Sequence, residues 1–250
     1  MFSLAQYRAV RDRYNANAFF QGACAPPTAL YHFDNSYADT MGFAADWVPR
    51  GAGTTLGTES KFGTGAVDFD AIEPGGASID GEHANTTTAF APSWLDAFTI
   101  DFWYWLDALP GPTDIPVIFG NGNISTLSQS YQVRFDQTIL QFIWDIGVGQ
   151  EIHSLTLPSL NAWHHVALIN ESFPGNFYFA VDGVLIGQFA APNSPQTFGR
   201  VGTGAPFYLG YSGPTGDVMD GRVDELRSAP CAQWTTFPFT PPTAPYTPLV

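Results

Sequence analysis

Few residues of this sequence stand in a pattern that supports catalysis. His164 and His165 are neighbours in a segment that alternates like a β-strand, so their side chains point to opposite sides and cannot hold one metal ion together. The sequence contains no H-E-x-x-H, no cysteine cluster and no Ser-His-Asp arrangement. We therefore expect each histidine to be a packed or hydrogen-bonded residue rather than a ligand.

The charge of the chain excludes some classes of partner. Its 250 residues include 23 acidic and 9 basic residues, which gives a formal net charge of −14. Because no stripe of arginine and lysine is present to follow a phosphate backbone, we expect no binding to nucleic acid. No run approaches the ~20 apolar residues of a membrane span, so we expect no membrane insertion.

The N-terminal residues differ from the rest of the chain, since residues 1–20 carry three arginines against one aspartate. Apolar residues recur at helical spacing over 3–20, which predicts a short N-terminal helix. A basic arm on an acidic body suggests that residues 1–28 dock on a partner or on a neighbouring copy; alternatively, the arginines only solubilise the helix. The residues that would make the docking contact are Tyr7, Arg8, Arg11 and Tyr14.

Beyond the predicted helix, apolar and polar residues alternate with a period of two, which is typical of β-strands. In 97–106, alternate residues from Phe98 to Tyr104 point one way, and Thr99, Asp101, Trp103 and Trp105 point the other way. The predicted strands cover 29–34, 66–70, 97–106, 115–120, 129–135, 140–146, 162–169, 177–181, 184–189, 206–210 and 222–227. This number of short strands predicts an all-β domain of two packed antiparallel sheets.

Two further features organise the predicted domain. Asp182 and Gly183 separate two apolar strands and predict a tight hairpin, because a type I′ turn needs positive φ at both central positions. The C-terminal segment FPFTPPTAPYTPLV carries five prolines and is expected to run extended over the body. We therefore divide the chain into an arm (1–28), a sandwich (29–230) and a proline-rich tail (231–250).

Six short segments in this order resemble the concanavalin A-like lectin/glucanase superfamily, specifically its laminin-G-like branch. They are ALYHFDNS, SKFGTGAVDFD, AFTIDFWYWLDALP, NAWHHVALI, FYFAVDGVLIG and MDGRVDELR. The resemblance covers roughly residues 29–245 and implies an antiparallel jelly-roll sandwich. The ending FTPPTAPY is similar to the tails of such domains in bacteriophage structural proteins.

Sandwich glucanases of this superfamily carry a strand with a Glu-x-Asp-x-x-Glu pattern, which places a nucleophile and an acid about 5 Å apart. The comparable strand here holds Asp101 with no second carboxylate at i+2 or i+4. The sequence therefore argues against glycoside hydrolysis, and we expect no enzymatic activity.

The resemblance also implies calcium as a candidate cofactor, because many related sandwich domains bind it at the rim. If the first and last strands pair antiparallel, as is usual in this fold, they would bring Asp34 and Asp39 towards Asp220 and Asp224. Several carboxylates would supply the oxygen ligands that Ca²⁺ prefers. The alternative is that these aspartates cap turns and stay solvated.

The same strand pairing bears on the two cysteines. Cys24 precedes the first strand and Cys231 follows the last strand, so we expect them to be near neighbours and a candidate disulfide. The alternative is two unrelated buried cysteines.

Four aromatic residues are candidates for stacking against a sugar ring, in the way that sandwich lectins hold pyranoses. They are Trp103, Trp105, Tyr131 and Trp144. Both faces of a central strand are often covered in this fold, so packing is the competing interpretation, above all for Trp103.

The resemblance to phage proteins leads to an expected function. We expect a non-enzymatic structural or adhesive protein on the surface of a phage particle, assembled in the host cytoplasm as a homo-oligomer. It would decorate the capsid or serve as a tail or fibre accessory, contact other virion proteins through the arm and bind cell-surface glycans weakly. The alternatives are a free carbohydrate-binding lectin and, against the missing carboxylate motif, a glycan hydrolase.

Overall fold

A computed structural model describes most of the chain outside the N-terminal segment. The described residues are 24, 26–42, 44, 46–50, 54–69, 78–81, 92–93, 95–112, 114–121, 131–136, 138–145, 150–156, 158–191, 207–210 and 219–247. The predicted helix and its docking residues Tyr7, Arg8, Arg11 and Tyr14 lie outside this part of the chain. Within the described part, no helix is long and apolar enough to cross a membrane.

The described residues form fifteen strands in two antiparallel sheets. In chain order the strands are β1 (Ala29–Tyr31), β2 (Val48–Arg50), β3 (Thr54–Gly57), β4 (Ala66–Phe69), β5 (Ser78–Gly81), β6 (Phe98–Leu106), β7 (Val117–Asn121), β8 (Tyr131–Asp136), β9 (Ile139–Asp145), β10 (Gln150–Thr156), β11 (Trp163–Asn170), β12 (Asn176–Val181), β13 (Val184–Ala190), β14 (Phe207–Leu209) and β15 (Gly221–Ala229). The predicted all-β sandwich is therefore confirmed.

Sheet A has the order β13-β12-β11-β6-β15-β4-β3, and sheet B has the order β10-β9-β8-β7-β14-β5-β2. In sheet A, one edge of β15 pairs with β4 through its first residues and with β1 through its last residues. The predicted antiparallel pairing of the first and last strands is thus present, with Leu30 opposite Arg227. A β-bulge between Asp224 and Arg227 shifts the register of β15 against β6.

The core lies between the two sheets and consists mainly of aromatic and aliphatic side chains. From β6 it takes Phe98, Ile100, Phe102 and Tyr104, each at most 1% exposed. The alternation predicted for this strand is confirmed, because these residues face the core and the intervening ones face the outside of sheet A. The outer face of sheet A is therefore the surface on which Thr99, Asp101, Trp103 and Trp105 lie.

The predicted hairpin is also present. Asp182 and Gly183 connect β12 to β13 with φ values of 50° and 78°. Strands β2, β3, β5 and β10 were not predicted from the sequence. The first three have only three or four residues each, and β2 contains a proline, so period-two alternation has too few positions in them to register.

Candidate functional site

The outer face of sheet A is divided into two regions by residues 231–247, which follow the last strand. We call the region beneath this tail the covered region; it includes Asp101, His165 and Arg227, with 0% of Asp101 and His165 exposed. At the other end of the same face, four residues aligned across neighbouring strands form what we call the open row. They are Trp163, Trp105, Arg222 and Asp68, each half-buried.

Asp101 is the centre of the covered region. Arg227 donates to it through Nε, 2.9 Å from Oδ1, and through Nη2, 2.9 Å from Oδ2. Oδ2 also accepts the Tyr246 hydroxyl and lies 3.2 Å from Nε2 of His165. Although burial raises the pKa of Asp101, the charge of Arg227 and the hydrogen bond with His165 lower it further, so this pKa lies below its ordinary value. The hydrogen bonds and the ion pair of Asp101 therefore favour its ionised form, although the carboxylate is buried.

Tyr246 links this carboxylate to a second one. Burial, reinforced by the charge of Asp101, raises the pKa of Tyr246 well above 10, so its hydroxyl acts as a donor. The peptide N–H of Tyr246 donates to Oε2 of Glu225 at 3.0 Å, and Oε1 of Glu225 lies 2.8 Å from Nδ1 of His32. The end of the tail is thus held by buried charged groups of the sheet.

The rest of the tail is held by aromatic packing. The rings of Trp234 and Phe239 stack with centroids 4.2 Å apart, and the peptide N–H of Phe239 donates to the Gly183 carbonyl at 3.0 Å. Glycine is required at position 183 for two reasons: its φ is positive, and a Cβ would overlap the carbonyl of Phe239. The outer-face residues beneath this packing are Ala167, Ile169 and Tyr178.

The open row begins with two tryptophans from neighbouring strands. Trp163 is the register partner of Trp105, and the two rings lie edge to face with centroids 5.9 Å apart. The indole N–H of Trp105 donates to Oδ1 of Asp107 at 2.9 Å. This bond fixes the orientation of the Trp105 ring.

Arg222 continues the row, and three carboxylates surround it. Its Nη1 lies 2.9 Å from Oδ2 of Asp107, its Nη2 lies 3.1 Å from Oε2 of Glu59, and its Nε lies 3.5 Å from Oδ1 of Asp68. The guanidinium carbon is 5.9 Å from the centre of the Trp105 ring. The exposed fractions are 33% for Asp107, 35% for Asp68 and 74% for Glu59, so these carboxylates remain accessible to a ligand.

The aromatic rings, carboxylates and guanidinium of the open row are together suited to binding a polyhydroxylated ring. Aromatic side chains offer an apolar surface to the C–H groups on the face of a sugar, and their own rings need no new hydrogen bonds for that contact. Carboxylates accept hydrogen bonds from hydroxyl groups, and a guanidinium donates to hydroxyl oxygens. The open row presents all three kinds of group on one rigid sheet.

The four aromatic candidates from the sequence have different surroundings. Trp105 lies in the open row. Trp103 is 5% exposed, because Phe62 and His165 pack against it and the Lys61 ammonium lies 4.0 Å from its ring centre. The prediction for Tyr131 requires correction: this residue is 0% exposed in the core between the sheets, so its ring has no face for a sugar.

For Trp144, the fourth candidate, the described part of the chain includes its backbone in β9 but not its side chain. The residues that sequence reasoning missed are Trp163, Arg222, Asp68, Asp107 and Glu59. The only signal that could have found Trp163 is its position opposite Trp105 in a predicted antiparallel pair, and that register was not fixed by the sequence.

The four aspartates predicted to bind calcium make hydrogen bonds with different peptide N–H groups. The carboxylate of Asp34 accepts the N–H groups of Thr64 and Gly65. Asp39 accepts from Leu30, Met41 and Ala44, Asp224 accepts from Lys61, Phe62 and Glu225, and the Asp220 carbonyl accepts from Asp107.

No group of three or more His, Cys, Asp or Glu residues that could hold a metal ion occurs among the described residues, which include all four of these aspartates. The expected convergence of the set is therefore not seen. Calcium binding stays a prediction from the sequence, to be tested by whether chelation lowers the melting temperature.

The two cysteines lie next to each other at the start of the tail. Cys24 and Cys231 form a disulfide, with their Cα atoms 5.6 Å apart. The carbonyl of Cys231 accepts a hydrogen bond from the hydroxyl of Thr99 at 2.8 Å, and the same hydroxyl accepts from the N–H of Gln233 at 2.9 Å. The tail is therefore fixed to the sheet where it leaves β15.

Comparison with known proteins identifies the fold independently. Residues 78–232 match the family model of a laminin-G-type domain, described as concanavalin A-like lectin/glucanases superfamily. No curated protein sequence is significantly similar to the chain.

Several solved structures share the fold. Domain 4 of AbnA, a GH43 extracellular arabinanase from Geobacillus stearothermophilus solved in complex with arabinotriose, aligns with a TM-score of 0.59 and 19% identity over 84% of this chain and 95% of that one. The binding domain of paraclostridial mosquitocidal protein 1 aligns with a TM-score of 0.61 and 12% identity over 83% of this chain and 49% of that one.

The binding domain of botulinum neurotoxin serotype G aligns with a TM-score of 0.59 and 12% identity over 82% of this chain. The chain spans about half the length of these toxin binding domains, 49% and 48% respectively.

Proposed function

The chain belongs to the concanavalin A-like lectin/glucanase superfamily, and we propose that it is a non-enzymatic carbohydrate-binding domain whose open row holds a neutral glycan. The observation that carries this proposal is the alignment of Trp163, Trp105 and Arg222 on neighbouring strands. All three are half-buried and lie at the end of the sheet face that the tail leaves open. The tail buries the corresponding groups at the other end.

The row would hold a sugar by contacts of two kinds. The ring face would lie against Trp105 or Trp163, and the edge-to-face arrangement of these rings offers two differently oriented apolar surfaces to successive sugar units. The hydroxyl groups would donate to Asp107 and Glu59 and accept from Arg222. Because hydrogen bonds to charged groups are stronger than those between neutral groups, a few of them can orient the sugar.

The charge of the row favours a neutral glycan over an acidic one. Three carboxylates, those of Glu59, Asp68 and Asp107, surround the single guanidinium of Arg222. An anionic sugar would therefore meet net repulsion at this end of the sheet.

Binding without hydrolysis is supported by the state of Asp101, the one carboxylate of β6, which is the strand comparable to the carboxylate-bearing strand of sandwich glucanases. It is 0% exposed and its pKa is lowered by Arg227 and His165 against the opposing effect of burial. A glycosidase instead needs an accessible general acid with a raised pKa.

The related structures support the same class of function. The arabinanase domain was solved with arabinotriose, and the toxin domains are binding domains. We take carbohydrate recognition as the property that this chain shares with the arabinanase domain.

The test is calorimetric titration with neutral oligosaccharides of arabinose, glucose, mannose and galactose. For the tightest ligand of the panel, Trp163→Ala should weaken binding at least about tenfold, which corresponds to 1.4 kcal/mol. Phe173→Leu is the matched control, because Phe173 is 43% exposed and follows the opposite end of β11. The proposal fails if no oligosaccharide binds or if both variants behave alike.

We also propose that the domain acts on the surface of a phage particle, as a capsid decoration or as a tail or fibre accessory. This location is supported by the resemblance of the ending FTPPTAPY and by the basic arm. Quantitative mass spectrometry of purified particles should find tens to hundreds of copies per particle, whereas a chain absent from particles would instead act as a free lectin.

A further inference from the structure

A cavity of about 380 Å³ lies between the tail, Arg227 of β15 and the residues that precede β1, beside the Cys24–Cys231 disulfide. Arg227, Trp234, Tyr246 and Gln233 line it together with prolines, threonines and Ala244. None of the described residues that line it is acidic, although the chain as a whole has a formal charge of −14. Its volume falls in the range of ligand pockets, about 300–1,000 Å³.

Arg227 is held in a fixed orientation at this cavity. Nε and Nη2 of Arg227 bind the buried carboxylate of Asp101, each at 2.9 Å, and the guanidinium carbon lies 3.8 Å from the centre of the Tyr246 ring. Nη1 makes no hydrogen bond to a described residue. It is also not fully buried, because it is absent from the buried polar atoms that have no partner. Nη1 is thus the guanidinium nitrogen left to face the cavity.

Arg227 and Asp101 together carry no net charge, so what the ion pair gives the cavity is a direction. Asp101 binds the Nε and Nη2 edge of the guanidinium, so the positive end of the pair points away from Asp101, towards the cavity. A guanidinium pre-organised in this way loses little side-chain freedom when it binds an anion. Carboxylates are among the anions that its N–H groups fit best.

We propose that this cavity binds the carboxylate of an acidic sugar, such as a uronic or a sialic acid. The carboxylate would accept hydrogen bonds from Nη1 of Arg227, and the apolar face of the sugar would contact Trp234 and the prolines. The side-chain amide of Gln233 and the threonine hydroxyls are available for the sugar hydroxyls. This site is separate from the open row and does not depend on it.

Ala244 allows a charge-specific test, because it lines the cavity and is itself exposed. Ala244→Glu places a carboxylate at the cavity, whereas Ala244→Gln adds a side chain of the same size without charge. Binding of glucuronic acid, N-acetylneuraminic acid and glucose would be measured by saturation-transfer NMR and by titration at a fixed salt concentration. Melting temperatures would confirm that both variants are folded.

The expected result, measured with Trp163→Ala in every protein so that the open row does not contribute, is that at least one of the two acidic sugars binds and that glucose does not. Ala244→Glu should weaken this binding at least tenfold more than Ala244→Gln. Binding of glucuronic acid would identify a uronic acid as the ligand, and binding of N-acetylneuraminic acid would identify a sialic acid. Equal binding of glucose, equal loss in both variants, or equal competition by acetate would overturn the assignment. Trp163→Ala should leave acidic-sugar binding unchanged, so failure at one site is distinguishable from failure at the other.

Discussion

Arg222 and Arg227 lie on the same strand and the same face of sheet A, yet their surroundings give them different roles. Each binds an aspartate, Asp107 or Asp101 respectively, and each has its guanidinium near an aromatic ring. The difference lies in the cover: Asp101 is 0% exposed beneath the tail, whereas Asp107 is 33% exposed.

The comparison shows that coverage, rather than residue type, decides what such a pair does. An ion pair with a partly exposed carboxylate, such as Arg222–Asp107, contributes less to stability, because water solvates the carboxylate and screens the attraction. A buried pair makes each partner indispensable to the other, because removing one leaves a charge without solvation. The Asp101–Arg227 contacts are therefore structural and leave only Nη1 of Arg227 for a ligand, whereas the open row can exchange its contacts for those of a ligand.

The largest expected effect comes from removing the disulfide that fixes the tail. It joins residues 207 positions apart, so the chain-entropy model assigns it up to about 5 kcal/mol of stability. We expect the Cys24→Ser, Cys231→Ser variant to lose free energy of unfolding in urea titrations while keeping its affinity for the neutral glycan. A parallel loss of glycan affinity would show that the tail also shapes the open row.

Replacing each arginine by methionine compares the two pairs directly. Arg227→Met should lower the free energy of unfolding by about 3–5 kcal/mol, because it leaves Asp101 buried without its partner. Arg222→Met should lower it by only about 0–1 kcal/mol and weaken glycan binding instead. Similar stability losses for both variants would contradict the distinction between the two regions.

A hydroxyl deletion tests the covered region more finely. Tyr246→Phe removes a donor to buried Asp101 and should cost about 1–3 kcal/mol in thermal unfolding. Tyr104→Phe is the matched control, because the Tyr104 hydroxyl is buried and has no hydrogen-bond partner among the described residues. Tyr104→Phe should therefore be close to neutral, and a larger cost for this variant than for Tyr246→Phe would rule out the proposed role of the tail.

The smallest expected effect is a dependence of stability on pH. The hydrogen bond to Glu225 raises the pKa of His32 against the effect of burial, and burial raises the pKa of Asp224 to about 7. A raised pKa means that the folded state holds its proton more firmly, so this stabilisation is complete below the unfolded pKa and is lost as the pH rises through the folded one.

The melting temperature should accordingly be higher at pH 6 than at pH 8, and His32→Gln should reduce the difference. For the lowered pKa of Asp101 the direction is opposite, so stability should also fall in acid as the pH drops below about 4. A flat profile between pH 6 and pH 8 would show that these groups do not titrate differently on unfolding.

The sequence predicts the sandwich well where strands are long and alternate clearly. In β6 each residue from Phe98 to Trp105 lies on the predicted side of the sheet, because packing one face against the core makes apolar residues recur at every second position. The Asp182-Gly183 hairpin is predictable for a local reason, since few residues tolerate positive φ. Short strands such as β2 are not predicted, because they form through pairing with a neighbouring strand and not through a pattern in their own residues.

The candidate site is much less predictable. Trp103 and Trp105 are on the same face and two positions apart, yet only Trp105 lies beyond the packing of His165 and Phe62. The contact between Arg222 and Asp107 joins positions 115 residues apart and depends on the register of β15 against β6. Neither the path of the tail nor that register is encoded in local spacing.

The central claim is that the open row, and not the covered region, binds the neutral glycan. The most direct measurement is NMR of the indole N–H signals of the seven tryptophans during titration with the tightest oligosaccharide of the neutral panel. The signals of Trp105 and Trp163 should shift in proportion to occupancy, while those of Trp47, Trp103 and Trp234 should stay in place. Shifts confined to Trp234, or unshifted signals of Trp105 and Trp163 in the presence of bound glycan, would contradict the claim.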